Sequence, residues 1–289
     1  SEDIRGGVHN SAQHDSAMKH VIGSAVFIDD MPTLPETLEV ALLLSPHAHA
    51  KVLSIDISKA EACSGVAAVI TANCIPGLND IAPVFKGEPV LAEDLVEYAG
   101  QPVAAIAADN YDNAFAAIEK IKVIYEELPA ILSIQEAWDK GQFTYEPPKI
   151  VSGDAEKAIK DSDLVVNGEI ACGGQDHFYL ETQIALAIPG EGSDILVYSS
   201  TQHPTEVQHG VSRVLGINQN DVTVEVRRMG GAFGGKESQS TIVAAIAALL
   251  ADKCRQPVKL RLRRDDDMIA TGKRHDFLFK YQVGFSSTG

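Results

Sequence analysis

Two glycine-bounded stretches carry the residue types best suited to chemistry. The first reads Gly173-Gly174-Gln175-Asp176-His177-Phe178-Tyr179-Leu180-Glu181, and the second Gly230-Gly231-Ala232-Phe233-Gly234-Gly235-Lys236-Glu237. Four glycines in the six positions 230–235 open left-handed backbone conformations and let a ligand approach the chain closely. Set between a strand and a helix, such a loop aims N–H groups at an anionic or oxo group on the helix amino end. Gly230, Gly235 and Lys236 meet the phosphate-loop template G-x-x-x-x-G-K-[S/T], but Glu237 stands where the magnesium-binding hydroxyl belongs. A carboxylate has no proton to donate there and repels phosphates, which argues against a nucleotide hydrolase. A tight turn without a ligand remains the plain alternative. In the first stretch, glycines ahead of a polar and aromatic run point to a kink that aims side chains at a site. The alternative there is a surface turn entering an ordinary strand, with His177 a satisfied core histidine.

The elements around these stretches alternate. Gly23–Asp29 and Leu38–Leu44 are apolar runs of strand length. Ala50–Ile57 alternates apolar and polar residues, as a half-buried strand does. Ser58 with Glu61 forms a capping box that starts a short helix. Strands at Val66–Thr71 and Pro102–Ala108, a helix over Tyr111–Lys122 and a strand at Val123–Glu126 complete this half. Around Gly141–Gly153, with Pro147-Pro148 inside it, periodicity fades and a domain boundary is expected. A helix near Asp154–Lys160 and strands at Leu164–Ala171, Thr182–Ile188 and Ile195–Ser199 follow. Pro204 suits the first turn of a helix to Leu215, and Val222–Arg227 returns as a strand into the glycine loop. Ser240–Lys253 is an Ala/Ile/Leu helix apolar on most sides, and so buried. A basic strand, a short helix at Asp265–Ala270 and an alternating aromatic strand at Phe277–Phe285 end the chain. No closing element follows that last strand, so an unpaired edge is expected and the chain reads as a piece of something longer.

Composition narrows the function classes. The 289 residues hold 24 basic and 40 acidic side chains, a net charge of −16, which repels a phosphate polymer and excludes a general nucleic-acid binder. No apolar run reaches membrane-spanning length, and Ser1-Glu2-Asp3-Ile4-Arg5 lacks the order of a secretory signal. Cys63, Cys74, Cys172 and Cys254 are scattered without a C-x-x-C pair, which fits a reducing, cytoplasmic setting and offers no cysteine metal cage. Lys259, Arg261 and Arg263 alternate with Leu260 and Leu262 and predict one basic strand face. That face is either simply solvated or meets an anionic cofactor or an acidic partner.

Taken together, Gly173–Thr182 and Arg228–Glu237 resemble the molybdenum-cofactor subunit of xanthine dehydrogenases, within the xanthine dehydrogenase/aldehyde oxidase family. Ser24–Asp30, Ser45–Ala50, Tyr125–Ala130 and Gly272–Gly289 extend the likeness over nearly the whole chain. The resemblance implies an α+β fold: an α/β hammerhead domain over 1–145, then the amino-terminal, truncated part of a molybdopterin-binding domain over 146–289. It implies that Gln175 contacts an oxygen ligand of the molybdenum, an indirect metal contact that suits a neutral amide donor. Phe233, through its backbone, and Gly234, by leaving room, would bind the cofactor. Glu237 would bind the purine substrate. Ala232 departs from the family, where a third glycine is more usual, and little effect is expected if its backbone is not left-handed. The catalytic glutamate, an arginine and two aromatic substrate residues would lie beyond Gly289, so no catalytic residue is assigned within the chain. The implied reaction hydroxylates hypoxanthine and xanthine to urate, with electrons passing through 2Fe-2S and FAD on partner domains or subunits to NAD. The remainder of the molybdopterin domain and an oligomeric assembly are implied as partners. The alternatives are a related hydroxylase of aldehydes or other azaheterocycles, which usually lacks a carboxylate at the Glu237 position, and a fragment inactive on its own.

Overall fold

The computed structural model describes residue 9 and residues 13–289. The first half holds helix Ala17–Val21 (α1), strands Leu38–Leu44 (β1) and Ala50–Asp56 (β2), helix Ser58–Glu61 (α2) and strand Val66–Thr71 (β3). Strands Leu95–Val96 (β4) and Pro102–Ala108 (β5), helix Tyr111–Ile118 (α3), strand Lys122–Glu127 (β6) and helix Ile134–Asp139 (α4) follow. The second half opens with helix Ala155–Lys160 (α5) and strands Leu164–Cys172 (β7), Ile184–Pro189 (β8) and Ile195–Ser199 (β9). Helix Pro204–Leu215 (α6) and strand Val222–Glu225 (β10) lead to the glycine loop. Helix Ser240–Cys254 (α7), strand Val258–Arg261 (β11), helix Arg264–Ala270 (α8) and strand Phe277–Phe285 (β12) complete the chain.

One seven-stranded sheet, ordered β10-β9-β8-β11-β1-β5-β3, joins the two halves. Its seam is the parallel pairing of β1 with β11, Leu38 opposite Val258. The change of texture at 141–153 therefore does not divide the sheet. Helix α7 is buried from Ser240 to Ala251 and packs, with α6, on one face. Its low polarity leaves no wet side, so its stability comes from packing rather than from an amphipathic stripe. Helices α2 and α3 cover β5 and β3 on the other face through Ala60, Ala114, Ala117 and Ile118. Strand β5 is buried at all seven positions, as a central strand covered on both sides must be. Among the described residues no helix is long and apolar enough to cross a membrane.

Several sequence expectations are corrected. Gly23–Asp29 is not a strand but an irregular segment ending in a 3₁₀ turn at Ile28–Asp30. There Asp30 accepts the Phe27 N–H at 3.1 Å, taking a donor that a ladder would need. Ile57 holds the cap position of α2 without a side-chain cap, Asp56 before it accepts the Ser58 N–H at 3.0 Å, and Ser58 is already the first helical residue. Helix α3 stops at Ile118 because Lys122 is drawn into register with Asp56 in the sheet β4-β2-β6. Strand β12 is paired after all: it runs antiparallel to β7 from Phe277 opposite Cys172 to Phe285 opposite Leu164. One face of that two-stranded ladder presents Leu164, Val166, Ile170, Phe277, Phe279 and Phe285 to solvent.

The helix that follows β9 begins as its sequence predicts. Pro204 occupies the first turn, the His203 ring nitrogen Nδ1 accepts the Glu206 N–H at 3.1 Å, and Gly216 closes the helix at φ +67°.

Candidate functional site

The two glycine-bounded segments pack against each other. A side chain added at Gly230 would stand 2.4 Å from Glu181 Cβ, and one at Gly235 would stand 2.7 Å from the Tyr179 ring and 2.8 Å from His177. These close approaches, more than turn geometry, require glycine at both positions. The Glu181 N–H donates to the Gly230 carbonyl at 3.1 Å, tying the segments by backbone as well.

Beneath this joint lies a dry polar cluster that sequence reading did not assemble. The Lys236 ammonium donates to Glu181 Oε2 at 3.0 Å and to Ser200 Oγ at 2.8 Å, and lies 4.7 Å from the centre of the Tyr179 ring. Burial pushes its pKa below the ordinary lysine value, against the pull of Glu181. Glu181 Oε2 also accepts the Gly230 N–H at 2.9 Å. Next to it, buried Asp267 accepts the Tyr179 hydroxyl and the Gln183 N–H, each at 2.7 Å. Gln183 Nε2 then donates to the Gly235 carbonyl at 2.9 Å. Burial, followed by the bond to Asp267 and its charge, raises the Tyr179 phenol well above the usual range. The buried Lys236 side chain cannot serve as a phosphate ligand, which removes the nucleotide-loop alternative.

Above the joint the predicted residues face solvent. Gln175 follows β7 and exchanges both backbone hydrogen bonds with Arg274 at 3.0 Å, leaving its amide exposed. Two residues on, His177 lies against Gly234 and Gly235, so this segment meets the loop through His177, Tyr179 and Glu181 rather than through Gln175. Phe233 is 77% exposed and holds φ +56°, and Gly234 holds φ +92°. Phe178, on the facing segment, is also left-handed at φ +47° and exposed; Asp176 accepts its N–H at 2.6 Å. Left-handed phenylalanines are costly for an L-residue and persist only where surrounding contacts impose them. Ala232 is buried and is not left-handed, so its methyl is accommodated. Glu237 is exposed at the entry to α7.

The outer side of the loop offers backbone donors beside the Glu237 carboxylate. No hydrogen bond among the described residues engages the N–H groups of Gly231, Ala232 or Phe233, whereas the Gly234 N–H donates to Gln202 Oε1 at 3.1 Å. Among the described residues no group of three or more His, Cys, Asp or Glu side chains is arranged to hold a metal ion directly. The basic face of β11 stays at the surface and is met by acidic side chains: Lys259 and Arg261 both pair with Asp29, at 2.7 and 2.9 Å, and Arg263 pairs with Asp266. Burial opposes ionisation of Asp29, but the hydrogen bonds and charges of Lys259 and Arg261 hold its carboxyl below the usual range. A cavity of about 430 Å³ beside these arginines is lined by Leu180, Glu181 and Arg261–Arg264, not by Gln175, Phe233, Gly234 or Glu237.

Comparison with known proteins gives this surface a family. Residues 22–129 match the aldehyde oxidase and xanthine dehydrogenase a/b hammerhead domain, and residues 139–289 match the molybdopterin cofactor-binding domain. The chain is 46% identical over 280 residues to a xanthine dehydrogenase of Oryza sativa subsp. japonica, covering 96% of this chain and 20% of that protein. It is 40% identical over 284 residues to aldehyde oxidase 4 of Mus musculus, covering 98% of this chain and 21% of that protein. The aldehyde oxidoreductase from Desulfovibrio gigas superposes with a TM-score of 0.84 at 27% identity, over 94% of this chain and 32% of that one. The chain thus spans about a fifth of the length of the curated relatives it matches. A hammerhead followed by a cofactor-binding region accounts for the α+β architecture, and this chain belongs to the molybdopterin cofactor-binding family of xanthine dehydrogenases and aldehyde oxidases.

Proposed function

We propose that this chain supplies one wall of the active site of a xanthine dehydrogenase-type molybdenum hydroxylase acting on hypoxanthine and xanthine to give urate. The observation that carries the reading is the close packing of the two glycine-bounded segments, with Gln175, Phe233, Gly234 and Glu237 all exposed on those segments. The donor set fits a molybdopterin group: free loop N–H groups, a neutral exposed amide, and glycines where side chains would block approach. When bound, that cofactor supplies the two-electron oxidation and oxygen transfer at an electron-poor carbon.

The residues of the chain hold and orient. Gln175 would donate an amide hydrogen toward an oxygen ligand of the metal without adding charge. Phe233 would offer its unpaired N–H to the cofactor, and Gly234, whose N–H is already engaged by Gln202, would leave the space beside it. Glu237 would accept a purine ring N–H, or donate to a purine carbonyl or ring nitrogen when protonated. This reading places the general base beyond Gly289. It also places 2Fe-2S and FAD on partner domains or subunits, with NAD as acceptor, in an oligomeric, cytoplasmic enzyme. It divides the chain into a hammerhead unit to residue 145 and a cofactor-binding part from 146.

A second reading, hydroxylation of aldehydes, is favoured by the likeness to aldehyde oxidase 4 and to the aldehyde oxidoreductase. Glu237 separates the two. In the complete enzyme, Glu237→Ala lowers kcat/KM for hypoxanthine by about 10- to 100-fold, the loss expected for one hydrogen bond to a charged group. Steady-state kinetics with hypoxanthine and with a simple aldehyde check this. An unchanged value for hypoxanthine beside turnover of the aldehyde transfers the assignment to the second reading.

A further inference from the structure

Lys236 and Glu237 are adjacent in the chain and opposite in environment. Lys236 is fully buried while Glu237 is exposed. The Lys236 ammonium reaches Glu181 and Ser200, and Glu181 in turn accepts the Gly230 N–H. One ion pair therefore touches the end of the Gln175 segment, the chain just past β9, and both ends of the glycine loop. The Lys236 carbonyl is held too, accepting the Gln202 N–H at 2.8 Å and the Thr201 hydroxyl at 3.1 Å. Burying two charges costs desolvation that their attraction only partly offsets, so stability alone explains such a pair poorly. Glu181 Oε1, buried with no hydrogen-bond partner among the described residues, adds to that cost. What a paired, directional cluster does supply is fixed geometry.

We infer that Lys236, with Glu181 and Ser200, is a positioning residue: its buried ammonium pins both ends of the glycine loop to the Gln175 segment and so sets the direction in which Phe233 and Glu237 face. The inference rests on the function proposed above. Lys236 touches neither substrate nor cofactor in this account and acts only through its neighbours.

In the complete enzyme, Lys236→Met keeps most of the side-chain volume and removes the ammonium. The expected result is a fall in kcat/KM for hypoxanthine of about 100-fold, the scale of a misplacement near 1 Å. Molybdenum content per enzyme is retained, and amide hydrogen exchange over residues 230–237 quickens by about tenfold while the later turns of α7 keep their rates. Glu181→Gln, which keeps an acceptor for the Gly230 N–H and discards the charge, falls between this variant and the parent. Unchanged loop exchange with kcat/KM within about twofold of the parent overturns the inference, as does loosening that spreads evenly through α7. If Lys236→Met does not fold, Ser200→Ala removes a single partner of the ammonium. It must give a smaller quickening confined to the same loop, and its absence overturns the inference equally. Failure of the proposed function looks different: an unsubstituted enzyme without molybdenum refutes that reading, while the exchange measurement still decides the pinning.

Discussion

The inner and outer sides of the glycine loop are built on opposite rules. Inside, Lys236, Glu181, Ser200, Tyr179, Gln183 and Asp267 bond to one another or to backbone and are almost entirely out of water. Outside, Gln175, Phe233 and Glu237 are exposed, and the N–H groups of Gly231, Ala232 and Phe233 have no partner among the described residues. The contrast separates two jobs. Residues below the loop set its shape, so their loss should be felt in stability and, through the pose of the residues above, in activity; residues above it, on the proposed function, meet the ligand, and their loss should be felt in activity alone.

The largest break in this contrast comes from below. Asp267 is 2% exposed and accepts from Tyr179 and from the Gln183 backbone. Asp267→Ala strands a buried hydroxyl and a buried N–H, each worth about 1–3 kcal/mol when left unsatisfied. A loss of about 2–5 kcal/mol is expected, read from the denaturation midpoint of the enzyme with and without the change. A loss under about 0.5 kcal/mol, the range of ordinary surface changes, would mean that the cluster does not hold the joint together.

These assignments also show what the chain exposed to reading and what it concealed. The elements near the site were legible because their signals are local: Pro204 at a first turn, the apolar run of α7, the alternation of β12. The two site segments were legible for a similar reason, since glycine spacing and the residues between them form contiguous motifs. The cluster beneath was not, because its pairs are tertiary. Tyr179 meets Asp267 across 88 positions and Lys236 meets Glu181 across 55, and no periodicity links them. Lys236 matches the phosphate-loop template, which Glu237 already argues against, and only its burial reveals what it does instead. The basic stripe of β11 was legible as a stripe, but its partner Asp29 lies more than 200 residues away and in a segment misread as a strand. Local sequence carries the motif, whereas the partner of a buried charge is settled by the fold.

A middle-sized effect tests the joint itself. Gly235 is not left-handed, so alanine there meets no backbone penalty, but its methyl would press on the Tyr179 and His177 rings. Overpacking of this kind costs about 1–3 kcal/mol. Because His177 and Tyr179 lie on the segment that carries Gln175, the same variant should also slow the enzyme, and the two losses should appear together in denaturation and kinetic measurements. A stability loss with full activity would sever the packing of the joint from the arrangement of the exposed residues.

The smallest effect sharpens the contrast at Ala232. Ala232 lies between Gly231, at φ +97°, and Phe233, at φ +56°, yet is itself outside the left-handed region and 7% exposed. Glycine there would surrender a buried methyl and widen the freedom of the unfolded chain, and no backbone strain would be relieved in exchange. Ala232→Gly should therefore lower stability by about 0.5–1 kcal/mol. Its side chain points into the protein, away from the ligand face, so kcat/KM should stay within about twofold of the parent, because only interactions that differ in the transition state move that ratio. Denaturation and steady-state kinetics on the same preparation read both quantities. A rise in stability would show that Ala232 is strained where it sits, and the loop would then owe part of its shape to that strain rather than to the charges pinned beneath it.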